Sequence, residues 1–255
     1  MAAPITKELS FPGAQGASLA AKLDLPEGEP CAYAIFAHCF TCSKEFLAAS
    51  RISEALADLG VGVLRFDFTG LGASEGEFEG TNFTSNVGDL IAAANHLREN
   101  FEAPKILVGH SLGGAAVLAA APDVPETVAV ATIGAPADPH HVSHLFEPSL
   151  GEIKEDGAAN VSIGGRDFTI QQQFVDDIAN QDLTTAIGTS RKALLLFHSP
   201  MDQTVSIENA AKIYGAAKHP KSFVSLDKAD HLLTKKKDAI YVAKVLNAWA
   251  SRYVD

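Results

Sequence analysis

The feature that most constrains the fold is an apolar run that leads directly into a serine between two glycines. Residues 106–108 are Ile-Leu-Val, and Gly109-His-Ser-Leu-Gly113 follows. The run is typical of a buried parallel strand, and the small residues of 115–121 predict a helix that packs closely on the sheet. Between them, Ser111 must lie on a tight turn where larger residues in place of the two glycines would collide. Ser111 is therefore predicted to be an exposed nucleophile.

The rest of the chain alternates between strand and helix patterns. An antiparallel pair is predicted over 5–11 and 18–25, buried strands over 32–37 and 106–108, and further strands over 61–66, 128–133, 193–197 and 223–226. Helices are predicted over 46–59, 86–100, 115–121, 206–217 and 237–253. Strands that alternate with helices form βαβ units. We expect an α/β fold with a mostly parallel central sheet and helices on both faces.

This alternation is interrupted between residues 140 and 191. A β-hairpin is predicted there, with 161–163 against 168–170 around Gly164 and Gly165. The segment is too short for a second domain. We therefore predict a single domain over 1–255, with 140–191 as a lid insertion over the site of the serine.

Composition limits the partners and the location. The chain has 255 residues, 47% of them hydrophobic, and a formal net charge of −11, which argues against nucleic acid and anionic membranes. Its apolar runs fall short of the about 18 residues of a membrane span. The first residues lack the basic and apolar regions of a signal peptide, so a cytoplasmic location is predicted. The three cysteines, Cys31, Cys39 and Cys42, imply no disulfide framework.

A nucleophilic serine needs a base and an acid, which follow it in the order Asp or Glu, then His, in folds of this type. Asp202 comes after the strand over 193–197, and His231 lies on the loop after the last predicted strand. The carboxyl ends of parallel strands share one edge of a sheet. We predict that His231 takes the proton of Ser111 and that Asp202 orients the imidazole. The less favoured carboxylates are Asp138, Asp227 and Asp230.

The same chemistry requires hydrogen-bond donors for a developing oxyanion. One donor is predicted to be the backbone N–H of Leu112, directly after the nucleophile. The second is assigned to the backbone N–H of Phe40, on the loop after the strand over 32–37, with Cys39 as the neighbouring possibility.

Three weaker motifs are not favoured as functional sites. The C-x-x-C spacing at 39–42 lacks the second cysteine pair of a zinc site, and a packing role beside the oxyanion loop is preferred to redox chemistry. The glycine-rich segment 70–76 has Glu75 where a dinucleotide fingerprint has its third glycine. The histidines at 140, 141 and 144 have no carboxylate at matching spacing. We predict no metal and no cofactor.

The motifs together resemble α/β-hydrolases of the serine esterase type. The resemblance is closest to the hydrolase half of bacterial proteins that fuse such a domain to an OsmC-like domain, and it rests on segments 38–44, 66–76, 109–114, 134–139, 198–202 and 230–233. An OsmC-like domain, fused or separate, is the partner it implies. The chain is also similar to feruloyl and cinnamoyl esterases, whose usual His-Gly-Phe-Thr supports Phe40 as a donor. Cys39 stands where many esterases keep glycine.

These patterns predict a carboxylesterase that acts through an acyl-enzyme on small-molecule esters with short-chain or aromatic acyl groups. The residues predicted to form the substrate pocket are His110, Phe146, Phe168 and Phe174. The alternatives are thioester hydrolysis or peracid formation on the same residues, and a non-catalytic binding protein of the same fold. The sequence predicts no binding of nucleic acid or membranes, and it does not indicate an oligomeric state.

Overall fold

The computed structural model describes residues 4–254. The two ends of the predicted 1–255 domain lie outside the described residues. None of the helices described is both long and apolar enough to cross a membrane.

Ten strands and eight α-helices make up the regular structure of the described residues. The strands are β1 (Ile5–Pro12), β2 (Ser18–Leu25), β3 (Ala32–Ala37), β4 (Val61–Phe66), β5 (Ile106–His110), β6 (Ala129–Ile133), β7 (Ala158–Ile163), β8 (Arg166–Gln171), β9 (Ala193–His198) and β10 (Lys221–Ser225). The α-helices are α1 (Leu47–Ala57), α2 (Phe83–Asn100), α3 (Leu112–Ala120), α4 (Leu150–Asp156), α5 (Gln172–Ala179), α6 (Leu183–Thr189), α7 (Glu208–Ala216) and α8 (Lys236–Ala250).

Eight of the strands form one sheet in the order β1-β2-β4-β3-β5-β6-β9-β10. Only the pairs β1–β2 and β2–β4 are antiparallel, and the remaining neighbours are parallel. The central strands β3, β4, β5, β6 and β9 are buried along their whole length, as expected for parallel strands covered on both faces. The prediction of a mostly parallel central sheet is confirmed.

Helices cover both faces of this sheet, so the core has two layers. On one face, α1 and α8 pack together and bury the side chains of one hydrophobic cluster. On the other face, α2, α3, α6 and α7 contribute to a larger cluster, which also takes in the buried residues of the insertion. Each parallel strand therefore ends at one edge of the sheet, where the loops that follow β3, β5, β9 and β10 meet.

The segment predicted as an insertion contains the expected hairpin, β7–β8, around Gly164 and Gly165. It also contains α4, α5 and α6, which the sequence patterns did not separate. The last of these, α6, packs against α3 and α7 of the main body. The lid role of 140–191 stays a prediction.

Two helices begin three residues earlier than the sequence patterns predict. Helix α2 begins at Phe83 instead of residue 86, because Asn82 and Ser85 form a capping box that satisfies two backbone N–H groups. Helix α3 begins at Leu112 instead of residue 115, directly after the serine. This places the backbone N–H of Leu112 at the free amino end of a helix.

Candidate active site

The serine lies on the turn that joins β5 to α3. Ser111 has φ 54° and ψ −126°, a strained conformation for a residue with a side chain. A Cβ at Gly109 would collide with the Gly113 carbonyl, and one at Gly113 would collide with the carbonyls of Ala37 and His38. Both glycines are therefore required, as the sequence predicted. The contact at Gly113 also brings the end of β3, and the loop that follows it, against the serine turn.

Three side chains from separate loops form a hydrogen-bonded series at this edge. The Nε2 atom of His231 lies 3.0 Å from the Ser111 Oγ, and its Nδ1 atom lies 2.7 Å from the Asp202 Oδ2. An ionised carboxylate can only accept, so His231 must carry its proton on Nδ1 and present a bare Nε2 to the serine hydroxyl. The sequence-predicted nucleophile, base and acid are thus brought together in a base-competent tautomer.

The carboxylate of Asp202 is held ionised by its hydrogen bonds. Burial alone would raise the pKa of Asp202, whose side chain is only 2% exposed. The hydrogen bond from His231 and those from the backbone N–H groups of Val205 and Thr204, each 2.9 Å long, outweigh burial and hold this pKa below its ordinary value. Asp202 can therefore stabilise an imidazolium on His231.

His110 fixes the backbone of the histidine loop. Its Nε2 donates a 2.7 Å hydrogen bond to the carbonyl oxygen of His231, and its ring stacks on Phe46 at 5.5 Å between centroids. The side chain is completely buried, and its Nδ1 has no partner within residues 4–254. Burial, and secondarily the nearby His231, lower the pKa of His110 to about 3. His110 is therefore neutral and positions the loop that carries His231. It was predicted to line the substrate pocket, but it does not line this cavity.

The alternative carboxylates have structural positions away from the imidazole. Asp138 is exposed and accepts from the backbone N–H of His140 at the start of a 3₁₀ turn. Asp230 accepts from the N–H groups of Leu232 and Thr234 and so shapes the loop that carries His231. Asp227 is exposed. Among the carboxylates of the described residues, only Asp202 bonds to the His231 imidazole.

The loop after β3 is tightly held, and here the cysteine prediction needs correction. Cys39 and Cys42, with Cα atoms 5.3 Å apart, are joined by a disulfide. Counting cysteines over the whole chain missed this bond because a local four-residue turn, and not a framework, brings the two together. Cys39 also keeps ordinary backbone angles, and Thr41, at φ 59°, takes the left-handed conformation instead.

The two predicted oxyanion donors flank the serine turn. The backbone N–H groups of Phe40 and Leu112 donate to no other protein atom in the part of the chain that the structure describes. Unpaired N–H groups beside a nucleophile are the arrangement that an oxyanion requires.

A cavity of about 440 Å³ opens onto Ser111 and His231. Its lining is mostly apolar, and its members outside the series of three are Cys39, Phe40, Thr41, Cys42, Phe46, Leu112, Pro136, His141, Val142, His144, Leu145, Ile163, Gly164, Arg166, Thr204, Val205 and Leu232. The size is that of a small-molecule site.

The predicted pocket residues do not form this lining. Phe174 and Phe146 are almost fully buried and lie 6.2 Å apart between ring centroids. Phe174 also packs 5.4 Å from Phe40, and Phe168 packs 4.9 Å from Phe78. These rings form the core between the insertion and the sheet edge, one layer behind the cavity. Composition could not show this, because it does not tell which side of a packed segment faces inward.

The cavity lining includes Arg166, His141 and His144, which the sequence patterns did not assign to a substrate site. Arg166 follows the Gly164-Gly165 turn that was predicted, but no role was assigned to its charge. His141 and His144 were considered only as zinc ligands. Each has a ring nitrogen beside a backbone carbonyl, that of Thr204 for His141 and that of His141 for His144. In residues 4–254, no group of three or more potential ligand side chains is placed to hold a metal.

Comparison with known proteins places these features in a family. The esterase domain from a Rhodothermus marinus protein is 54% identical, with 98% of this chain and 100% of that chain covered and a TM-score of 0.82. Est1E from Butyrivibrio proteoclasticus, solved with ferulic acid bound, shares the fold at 20% identity and a TM-score of 0.78, covering 96% of this chain and 98% of that one.

Among curated proteins, the human mitochondrial palmitoyl-protein thioesterase ABHD10 is 40% identical over 86 residues. That segment is 34% of this chain and spans 27% of the length of the relative. The model of the family described as serine aminopeptidase, S33, matches residues 28–191, well over half of the chain. The chain therefore belongs to the serine aminopeptidase, S33 family, and it is a serine hydrolase with the α/β-hydrolase fold.

Proposed function

We propose that this protein is a serine carboxylesterase that cleaves small esters through an acyl-enzyme. The observation that carries the proposal is the series from Asp202 through His231 to Ser111, which ends at the wall of an open cavity. The 54% identity to an esterase domain over nearly the whole chain supports the same reaction class.

In the first half of the reaction, the Ser111 Oγ attacks the ester carbonyl carbon while His231 Nε2 takes the hydroxyl proton. The carbonyl oxygen becomes an oxyanion and accepts hydrogen bonds from the N–H groups of Phe40 and Leu112, each worth roughly 3–4 kcal/mol in the transition state. When the tetrahedral intermediate collapses, the ester C–O bond breaks and His231 gives its proton to the departing alcohol. The acyl group remains on Ser111.

In the second half, a water molecule takes the place of the alcohol. His231 Nε2 takes one proton from the water as the water oxygen attacks the acyl carbon. The bond between the acyl carbon and the Ser111 Oγ then breaks, and His231 returns the proton to that oxygen. Free acid leaves and the enzyme is regenerated. Throughout, Asp202 keeps the imidazole in one tautomer and stabilises its charged form.

The cavity supports a preference for short or aromatic acyl groups. The cavity has a volume of about 440 Å³. The hairpin tip at Ile163 and Gly164 lines one side of it, which supports the predicted lid role of the insertion. Ferulic acid, an aromatic acid, is bound to the related Est1E. We expect the rate to fall steeply beyond about eight acyl carbons, because a longer chain would extend outside a cavity of this size.

Thioester hydrolysis is the second candidate. The observation that favours it is the 86-residue similarity to a palmitoyl-protein thioesterase. The same nucleophile, base and donors serve both reactions, since an alcohol and a thiol leave from equivalent tetrahedral intermediates. A panel of matched acetyl and butyryl oxygen esters and thioesters would rank the two by kcat/KM.

The test of the proposed function is Ser111→Ala with p-nitrophenyl acetate and butyrate as substrates. We expect kcat/KM to fall by at least about 10³-fold, because the nucleophile is removed while the fold is kept. Ser10→Ala, which changes an exposed serine on β1, is the matched control and keeps full activity. A fluorophosphonate probe should label wild type and the control but not Ser111→Ala. If Ser111→Ala keeps most of its activity, the proposed mechanism is wrong.

A further inference from the structure

The charge inside the active-site cavity differs from that of the protein as a whole. The chain carries a formal net charge of −11, yet no carboxylate lines the cavity, whose lining residues all lie within 4–254. Arg166 is the one arginine or lysine among them. Arg166 is exposed to solvent, so its charge lies at the open side of a mostly apolar cavity. A negatively charged protein repels anionic ligands at long range, and a local cation at this place favours a ligand with a negative group.

The position of Arg166 is set by the hairpin. Arg166 is the first residue of β8 and pairs with Ile163 of β7 across the Gly164-Gly165 turn. Ile163 and Gly164 line the cavity beside it. Because the turn is only two residues long, the hairpin fixes the position of the Arg166 backbone relative to Ile163.

The guanidinium of Arg166 is stacked but not paired. Its Cζ lies over the Phe168 ring, 5.5 Å from the ring centroid, which is a cation–π contact. No carboxylate or hydrogen-bond acceptor of the described residues engages it, in contrast to the buried Arg65, which is bonded to Asp24.

We propose that Arg166 selects esters that carry a carboxylate away from the scissile bond. A guanidinium presents two parallel N–H donors that match the two oxygens of a carboxylate. The substrate carboxylate would enter the cavity at the hairpin tip while its ester carbonyl reaches Ser111. This inference rests on the proposed esterase function and names its substrate class: half-esters of dicarboxylic acids, or esters whose alcohol part carries an acid group.

The test compares anionic and neutral esters in wild type and Arg166→Gln. The neutral substrate is p-nitrophenyl butyrate. Mono-p-nitrophenyl glutarate carries the carboxylate on the acyl part, and 4-butyryloxybenzoate carries it on the alcohol part. For the preferred anionic ester, we expect the ratio of its kcat/KM to that of the neutral ester to fall by about 10–100-fold in Arg166→Gln, mainly through KM, because one charge-assisted interaction is lost. The glutarate and benzoate arms show which half of the substrate faces the arginine.

Two variants control for unspecific effects. Arg252→Gln removes an exposed arginine that does not line the cavity and should leave the ratio unchanged. Arg166→Lys keeps the charge but not the paired donors, so it should recover only part of the ratio. A ratio that is the same in wild type and in Arg166→Gln, for both anionic esters, would overturn the proposal while leaving the esterase function intact.

A binding measurement separates this proposal from the esterase function. Calorimetric titration of Ser111→Ala with monoethyl glutarate requires no turnover. We expect the dissociation constant to rise by about tenfold or more when Arg166→Gln is added to Ser111→Ala. Equal affinity in the single and double variants would overturn the assignment of Arg166. Failure of the esterase function would instead appear as an absence of Ser111-dependent hydrolysis of the neutral ester.

Discussion

At the scale of single residues, His231 is held by two different hydrogen bonds. Asp202 fixes its ring through Nδ1, and His110 fixes its main chain through the carbonyl oxygen. His110 is thereby a positioning residue: it is buried behind the serine and touches no cavity surface. Protonation of His110 at low pH would destabilise the folded state, because it would put a charge into an apolar interior.

The burial of His110 predicts a stability change with pH. Its folded pKa of about 3 lies below the value of about 6.5 in an unfolded chain, so the unfolded chain binds more protons between these pH values. Stability is full above about pH 6.5 and falls as the pH drops toward 3, by up to about 1.4 kcal/mol per pH unit from this residue. His110→Gln keeps a donor for His231 but removes the titration, so its slope should be shallower.

Urea denaturation of wild type and His110→Gln at pH 7, 6 and 5 measures this slope. His140→Gln, which removes an exposed histidine, is the matched control. If the free energy of unfolding changes with pH by the same amount in wild type and in His110→Gln, the assignment of His110 as a neutral buried group is wrong. A positioning role further requires that kcat falls in His110→Gln more than KM rises, because a displaced His231 impairs proton transfer and not substrate binding.

At the scale of elements, the loop over 38–44 is held from both ends. The Cys39–Cys42 disulfide closes its turn, and the buried Lys44 is bonded to Asp67 through both its backbone N–H and its ammonium group. Phe40 lies inside the closed turn. Its N–H is therefore fixed relative to the serine turn, which packs on the same strand end at Gly113.

Reduction of this disulfide should impair catalysis before it unfolds the protein. A bond that closes so short a loop contributes about 2 kcal/mol to stability. Loss of the bond frees the donor at Phe40, and because oxyanion donors act mainly in the transition state, we expect kcat to fall by about tenfold or more with little change in KM. The measurement is p-nitrophenyl butyrate hydrolysis with and without dithiothreitol, together with thermal unfolding.

The variant Cys39→Ser/Cys42→Ser should reproduce the effect of the reductant and be insensitive to it. Cys31→Ser is the control, since Cys31 is a free and exposed cysteine outside the loop. An unchanged kcat after complete reduction would mean that the Lys44–Asp67 bond alone fixes the loop.

At the scale of the whole molecule, the antiparallel strands are tied to the parallel sheet by a buried ion pair. Asp24 of β2 and Arg65 of β4 are bonded at 2.7 Å, and both are almost inaccessible to solvent. Arg65 also donates to the carbonyl oxygen of Lys44 and so links the sheet to the oxyanion loop. Stability and site geometry therefore depend on the same arginine.

Removing Asp24 should destabilise the fold, because it leaves the buried Arg65 with only the half-exposed Glu45, 3.5 Å away, as a counter-charge. We expect Asp24→Asn to lower the free energy of unfolding by about 3–5 kcal/mol, measured by urea denaturation. The double variant Asp24→Leu/Arg65→Met should recover much of the loss, since an apolar pair carries no such charge. A loss in Asp24→Asn of no more than about 1 kcal/mol, the typical value for an exposed pair, would contradict this account.

The lid role of the insertion, a cytoplasmic location and a relation to an OsmC-like domain stay predictions. What the fold does explain is why the order of the three active-site residues could be predicted. Ser111 follows β5, Asp202 follows β9 and His231 follows β10. In a parallel sheet these strands all end at one edge, so chain order and strand position together indicate proximity.

The sequence by itself determined what depends on neighbours along the chain. The glycine-flanked Ser111, the strand and helix periodicities and the Gly164-Gly165 turn are local signals, and each gave the correct element. Tertiary packing alone decided which side chains face one another across loops. It turned Phe174 inward to form a core, placed His110 behind His231 and brought Arg166 to the cavity. A periodic pattern fixes which residues are apolar, but the facing partner of each is set by how distant segments pack.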